Sequence, residues 1–129
     1  MSLSMPRKLR VLVADDHPLN LRLAVRVLRD LGHSGVVVND GAQALRAMEA
    51  QGFDVVLMDV SMPVLDGVGA LHAIRQREAG AARTPVIMVT GHDTDDDRTR
   101  LLGEGADGYL AKPIEASALR GELQRLKLL

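Results

Sequence analysis

Cysteine and tryptophan are absent from this chain, and its aromatic content is one tyrosine and one phenylalanine. Without thiols there are no disulfides and no thiol catalysis, and a reducing, cytoplasmic setting is permitted. Two aromatic rings make no stacking platform for single-stranded nucleic acid. Charge of one sign is also lacking: 16 Lys and Arg stand against 17 Asp and Glu, a formal net charge of -1 at pH 7. A phosphate backbone needs a concentrated basic surface, so nucleic acid is not expected as the direct partner. Long apolar runs are missing as well. Hydrophobic residues make up 47% of the chain, but in short stretches bounded by Gly, Asp and Pro that cannot span a bilayer.

With 129 residues, the chain is the size of one domain able to bury about two-thirds of its unfolded surface. Residues 1–7 read as a lead, of which Met1 to Ser4 resemble an initiator plus a vector remnant, and 8–129 read as the domain. No succession of charged, apolar and small residues marks a signal peptide. The abrupt end at Lys127-Leu128-Leu129 is compatible with a domain cut from a longer protein.

Five short Val, Leu and Ile runs, at 9–14, 36–38, 55–58, 86–89 and 109–111, read as strands. Their lack of polar alternation suits parallel strands covered on both faces. Between them lie helical patterns. Leu21, Ala24, Val25, Leu28 and Leu31 recur at spacings of three and four, with Arg22, Arg26 and Arg29 on the opposite side and Gly32 as the stop. Further helices are expected at 42–50, 68–78, 94–104 and 115–127, the last with Leu119, Leu123 and Leu126 on one face. Five alternations with short connections imply an α/β fold, a doubly wound five-stranded parallel sheet with helices on both faces. Ligands of such sheets sit beyond the carboxyl ends of the strands, where the winding reverses.

The residues at those ends are Asp15 and Asp16 after the first strand, Asp59 after the third, Thr90 after the fourth and Lys112 after the fifth. Three carboxylates in one crevice repel unless protons or a cation offset them. Oxygen ligands without Cys or a spaced His pair favour Mg²⁺, or Mn²⁺, over zinc. Mg²⁺ uses one or two carboxylates, which leaves Asp59 free as a nucleophile toward a phosphoryl group. Phosphoryl transfer then asks for positive charge on the equatorial oxygens, which the metal and the Lys112 ammonium supply, while the Thr90 hydroxyl donates a hydrogen bond. Lys112 is one of three lysines against thirteen arginines, and a compact point charge suits a group that arrives and leaves. Pro113 follows it, and a cis Lys112–Pro113 peptide is expected to aim the lysine inward.

Each of these residues also has a plainer reading. Asp15 and Asp16 before Pro18 can cap the first helix, Asp59 can serve a turn ahead of Pro63 and Gly67, and Thr90 can cap a loop. Tyr109 can be a half-buried ring packed on its sheet. Capping explains neither Asp59 nor Lys112, and the coincidence of three strand ends favours a site. Asp93, Asp95, Asp96 and Asp97 read as dipole partners for the start of the fourth helix, which carries few large apolar residues beyond Leu101 and Leu102 and so is expected to be weakly anchored. The letters Gly103-Glu-Gly105-Ala-Asp-Gly108 match a dinucleotide fingerprint but precede a strand instead of following one, so they are read as a helix end and a turn.

Val-Ala-Asp15-Asp16, Met58-Asp59-Val-Ser-Met62-Pro63-Val-Leu-Asp66-Gly67, Val89-Thr90-Gly and Tyr109-Leu-Ala-Lys112-Pro113, taken in order, closely resemble the receiver domains of response regulators in two-component signalling. The likeness runs from about Lys8 to the C-terminus. The opening Asp-Asp-His-Pro-Leu-Asn and the later Lys-Pro-Ile are more similar to receivers of hybrid histidine kinases than to stand-alone chemotaxis receivers. The resemblance implies a flavodoxin-like strand order 2-1-3-4-5 and a phosphoryl group accepted by Asp59 from a phosphohistidine on a histidine kinase or phosphotransfer domain. It implies Asp16 as a direct Mg²⁺ ligand, Asp15 as a ligand through water and Ser61 as a ligand through its backbone carbonyl. Lys112 and Thr90 would bind the phosphoryl group, and Tyr109 would be the rotameric switch that relays its arrival to the face of helix four, strand five and helix five. Ser61 and His92 would tune dephosphorylation.

Two positions depart from the commonest pattern: His17 stands where Asn or Glu is frequent, and His92 lies two residues beyond Thr90. The expected protein is therefore a cytoplasmic phosphoacceptor, monomeric or weakly dimeric, whose chemistry turns over on itself, with an output domain or protein downstream. The alternatives are a phosphatase with an aspartyl-phosphate intermediate and a pseudo-receiver that only binds partners. The first wants a carboxylate two residues after the nucleophile, where Ser61 stands, and the second does not need the intact set of site residues.

Overall fold

The structure is a computed structural model that describes residues 8–79, 81–91 and 95–129. Five strands alternate with five helices: β1 Arg10–Ala14, α1 Pro18–Asp30, β2 Ser34–Val38, α2 Gly41–Ala50, β3 Val55–Asp59, α3 Gly67–Glu78, β4 Val86–Thr90, α4 Asp95–Gly103, β5 Gly108–Ala111 and α5 Ala116–Arg125. All strand pairs are parallel and the sheet order is β2-β1-β3-β4-β5, the order the resemblance implied. The winding reverses between β1 and β3, so the crevice lies at the carboxyl ends of those two strands.

Side chains on successive strand residues point to opposite faces, and the two cores follow that alternation. Val11, Val13, Val55, Leu57, Ile87, Val89 and Leu110 pack with Leu28 of α1 and with Leu119 and Leu123 of α5. Leu12, Ala14, Val56, Met58, Val86 and Met88 pack on the other face with Leu45, Leu71, Ile74 and Leu101. Strands β3 and β4 are buried along their whole length, because both faces are covered, and burying each such Leu or Ile contributes about 1.5–3 kcal/mol. Strand β2 differs. It begins two residues earlier than the Val run suggested and is largely exposed, with Val37 at 44%, because an edge strand has a neighbour on one side only.

Helix ends follow from local chemistry. Asp40 caps α2 by accepting the Gln43 N–H at 2.7 Å, and Asp66 caps α3 by accepting the Gly69 N–H at 2.7 Å. Pro18 opens α1, and Gly32 follows its end at φ 87°, a conformation that glycine adopts freely. The fourth helix ends at Gly103, and Gly105 turns the chain at φ 110°, the role the glycines were assigned. The fifth ends at Arg125, two residues before the expected stop, as Lys127 has φ 60°. The beginning expected for the fourth helix, Thr94, and its neighbour Asp93 lie outside the described residues.

Candidate functional site

Register alone carries the acidic residues together. Ala14 pairs with Met58 across β1 and β3, so Asp15 follows on one strand as Asp59 ends the other. On the far side Asp59 pairs with Val89, and Thr90 pairs with Ala111. Lys112, next in the chain, donates its backbone N–H to the Thr90 carbonyl at 2.8 Å. Three strand ends and one strand exit thus converge on a single crevice.

Within it, carboxylate oxygens of Asp15, Asp16 and Asp59 all lie within 4.8 Å of one another. Asp59 is 3% exposed and Asp15 6%, whereas Asp16 faces solvent. The Lys112 ammonium lies 2.9 Å from Asp59 Oδ1 and 3.5 Å from Asp15 Oδ2. Ser61 donates its backbone N–H to the same Asp59 Oδ1 at 3.3 Å. The Lys112–Pro113 peptide is cis. Thr90 is buried at the end of β4, one residue beyond the partner of Asp59 in the sheet.

The electrostatics are those of crowded like charges. Burial pushes the Asp59 carboxyl above its ordinary range; the Lys112 hydrogen bond opposes this, and the charge of Asp15 adds to it. Burial works against the charge on Lys112, but the hydrogen bond and charge of Asp59, with those of Asp15, outweigh it and hold its pKa above the usual value. One ammonium between two buried carboxylates leaves negative charge in excess, and the exposed third carboxylate increases it. Hard oxygen donors this close fit a small divalent cation, which the carboxylates of Asp15, Asp16 and Asp59 could hold.

The plain capping reading does not describe Asp15 and Asp16. The N-cap of α1 is His17, whose side chain makes no capping bond, and Asp15 Oδ1 instead accepts the His17 N–H at 2.9 Å. That bond fixes the Asp15 carboxylate toward the crevice and away from the helix end. Gly67 was not among the expected site residues and is needed there. A Cβ on it would sit 2.0 Å from the Asp59 carbonyl oxygen, so only glycine lets α3 start against the end of β3. Its signal in the sequence is the Asp66-Gly67 pair, a cap followed by a residue without a side chain.

Tyr109 is buried at 7% exposure, deeper than a half-buried ring, and belongs to the core on the α2, α3 and α4 face. The Arg98 guanidinium lies 5.2 Å from the centre of the Tyr109 ring, a cation–π contact, and the Tyr109 backbone N–H donates to Glu122 Oε2 of α5 at 3.2 Å. Nothing in the sequence marked Arg98 or Glu122. Burial alone would raise the Glu122 pKa, but the hydrogen bond from Arg125, that from the Tyr109 N–H and the charges of Arg125 and Arg98 hold it below the ordinary value. Among the expected site residues, Asp15, Asp16, Asp59, Ser61, Thr90 and Lys112 share the crevice. Tyr109 lies on the neighbouring strand, and His92 falls outside the described residues.

A βα-wound receiver-type sheet with an acidic crevice and a lysine on a cis X–Pro bond defines a class, and the comparisons agree with it. The sequence model of the response regulator receiver domain matches residues 11–124, and the chain belongs to that family. Sensor protein GacS of Pseudomonas syringae pv. syringae is 42% identical over 112 residues, 85% of this chain and 12% of the kinase. Signal transduction histidine-protein kinase BarA of Escherichia coli K12 is 39% identical over 117 residues, 91% of this chain and 13% of the kinase. The chain therefore spans about an eighth of these curated relatives. The receiver domain of sensor histidine kinase PA1611 from Pseudomonas aeruginosa PAO1, solved with a magnesium ion coordinated in its active-site cleft, superposes with a TM-score of 0.81 at 39% identity, covering 92% of this chain and 97% of that one.

Proposed function

We propose that Asp59 is the phosphoacceptor and that the chain is the receiver of a hybrid histidine kinase, loaded by a histidine kinase or a histidine phosphotransfer domain. The observation that carries this reading is the Lys112 ammonium 2.9 Å from the buried Asp59 carboxylate in a crevice shared with the carboxylates of Asp15 and Asp16. In the transfer, an Asp59 carboxylate oxygen attacks the phosphorus of a phosphohistidine. The P–N bond breaks, the imidazole leaves with the electron pair and takes up a proton, and an acyl phosphate forms. A divalent cation, Mg²⁺ or Mn²⁺, supplies Lewis-acid stabilisation of the phosphoryl oxygens when bound.

The residues of the chain do the rest. The Ser61 N–H and Lys112 fix the attacking carboxylate, and Lys112 turns from the carboxylate to a phosphoryl oxygen as the negative charge moves outward. The Thr90 hydroxyl donates to another oxygen, and Tyr109, packed under Arg98, responds as Thr90 moves, changing the face of α4, β5 and α5. Ser61 at the rim and His92 beyond Thr90 set access of hydrolytic water. The self-limited chemistry is that of a phosphoacceptor, and any kinase activity belongs to a parent chain.

Residues 8–129 form the domain, monomeric or weakly dimeric, with an output domain or protein downstream. No helix of the described residues is long and apolar enough to cross a membrane, and the cytoplasm, where histidine kinases draw on ATP, is the compartment we assign.

Incubation with acetyl phosphate and Mg²⁺ followed by intact mass measurement tests the assignment. Wild type gains one phosphoryl mass and Asp59→Asn gains none. Equal incorporation in both removes Asp59 from the role.

A further inference from the structure

The arginine stripe of α1 has no task in the chemistry above. Arg22, Arg26 and Arg29 are exposed, and among the described residues none of them forms an ion pair. They line an open groove together with Leu21, Val25, Val37 and a single carboxylate, Asp30, which leaves the groove net positive, and the helix stands over β2 at the sheet edge. The Val37 side chain is 44% exposed in that groove.

Among the described residues no strand pairs with the outer edge of β2. Ser34 donates its N–H inward to Leu9, and the Val38 carbonyl accepts inward from Asp15. In a strand, backbone groups alternate in direction, so residues 34, 36 and 38 bond to β1 while Gly35 and Val37 present theirs outward. A row of outward N–H and C=O groups beside a hydrophobic floor is a template for one more strand.

We propose that this edge binds an extended acidic polypeptide segment, which adds as a sixth strand beside β2 and sets its carboxylates against the α1 arginines. The spacing fits. Alternate residues of a strand are about 6.7 Å apart, and arginines three and four residues apart on a helix rise by about 4.5–6 Å, within the reach of flexible side chains. Alternate carboxylates on one side of the added strand therefore meet successive guanidiniums, which hold carboxylates in two-pronged hydrogen bonds. A second copy of this chain is disfavoured as occupant, since edge-to-edge pairing would bring two arginine stripes together. Nucleic acid would meet the arginines but has no use for the outward Gly35 and Val37 backbone groups.

The groove lies on the β2 side of α1, and none of the residues lining it belongs to the Asp59 crevice. The test uses the whole chain and a fluorescein-labelled alternating Glu-Val peptide of about ten residues, followed by anisotropy and by hydrogen exchange of the Gly35 and Val37 amides. We expect saturable binding that weakens with salt, slowed exchange at both amides, and no binding of the matching Lys-Val peptide. Replacing Arg22, Arg26 and Arg29 together by Gln should weaken binding about tenfold or more, with the circular dichroism melt retained. Val37→Pro, tolerated where an edge N–H faces outward, should weaken it as well. Absence of binding, unchanged exchange at Gly35 and Val37 in the bound wild type, unaltered affinity in the Gln variant, or an oligothymidylate that competes the peptide off each overturn the proposal.

Discussion

Val64, in the loop that follows Asp59, and Gly67, the first residue of α3, sit three residues apart, and the backbone asks opposite things of them. Val64 is 83% exposed at φ 68°, a left-handed conformation that disfavours a β-branched side chain by about 1–2 kcal/mol. Nothing packs on it to compensate. Val64→Gly should therefore stabilise the domain by about 0.5–1 kcal/mol after the greater flexibility of glycine in the unfolded chain is subtracted. Gly67→Ala should cost about 2 kcal/mol or more, because its methyl has backbone for a neighbour and no flexible chain end to push aside. Urea melts of the two variants separate these signs, and a destabilised Val64→Gly would show that the loop gains something from valine. His33 offers a pH dependence at the same scale. It is buried, and its Nδ1 accepts the Leu9 N–H at 3.1 Å, so the imidazole is held neutral, and burial lowers its pKa from 6.5. As pH falls below 6.5 the unfolded chain takes up a proton that the folded chain refuses, so stability contributed at higher pH is lost through that window until the folded pKa is passed. Asp59, with a raised pKa, has the opposite sign, which makes the difference between wild type and His33→Gln the informative quantity. Gln keeps an acceptor for Leu9, and the acid-side loss should shrink in the variant.

Elements were more legible than their ends, and the reason differs from one element to the next. Strands β3 and β4 declared themselves because burial on both faces demands uninterrupted Val, Ile, Leu and Met. Strand β2 was read too short, since at the edge Ser34 and Gly35 are compatible with pairing on one side only. The strand ends gave the site, because topology alone decides which residues meet there. Arg98 and Glu122 could not be found in the same way: their relation to Tyr109 depends on how α4 and α5 lie over β5, which no spacing in the sequence encodes. Helix α4 carries its own expectation. Leu101 is fully buried while Leu102 is 43% exposed, so among the described side chains a single large apolar one anchors the helix, with no second apolar row to share the load. Its amides should exchange faster than those of α1 and α5, each held by two buried residues. Leu101→Ala should cost about 2–5 kcal/mol and bring α4 exchange close to the unfolded rate while β1 and β3 stay protected. Equal protection of α4 and α5 in the wild type would remove the idea that this face is loosely held.

At the scale of the molecule, folding gathers charges that the unfolded chain keeps apart. Net charge is only -1, yet the carboxyl end of the sheet concentrates Asp15, Asp16 and Asp59 within 4.8 Å against the one ammonium of Lys112. The sheet is held by apolar burial on both faces, so this end can remain electrostatically unfavourable without unfolding the domain. A divalent cation that binds the folded crevice would find no such cluster in the unfolded chain, and would therefore stabilise the fold by RT ln(1 + [L]/Kd), or about 2.7 kcal/mol at a hundredfold excess over Kd. The melting temperature should rise with Mg²⁺ concentration and fall back on chelation. Asp59→Asn removes a candidate ligand and a source of repulsion at the cost of a weaker Lys112 contact, so the variant should be more stable than wild type without metal, and its Mg²⁺ response should be smaller. Lys112→Met should move the other way: it is less stable without metal, because two buried carboxylates lose their counter-charge, and it gains more from Mg²⁺. Calorimetric melts of the three proteins with and without metal decide the matter. A wild type indifferent to Mg²⁺, or a Lys112→Met protein with no larger response than wild type, would mean that the crevice balances its charge by protonation instead of by a cation.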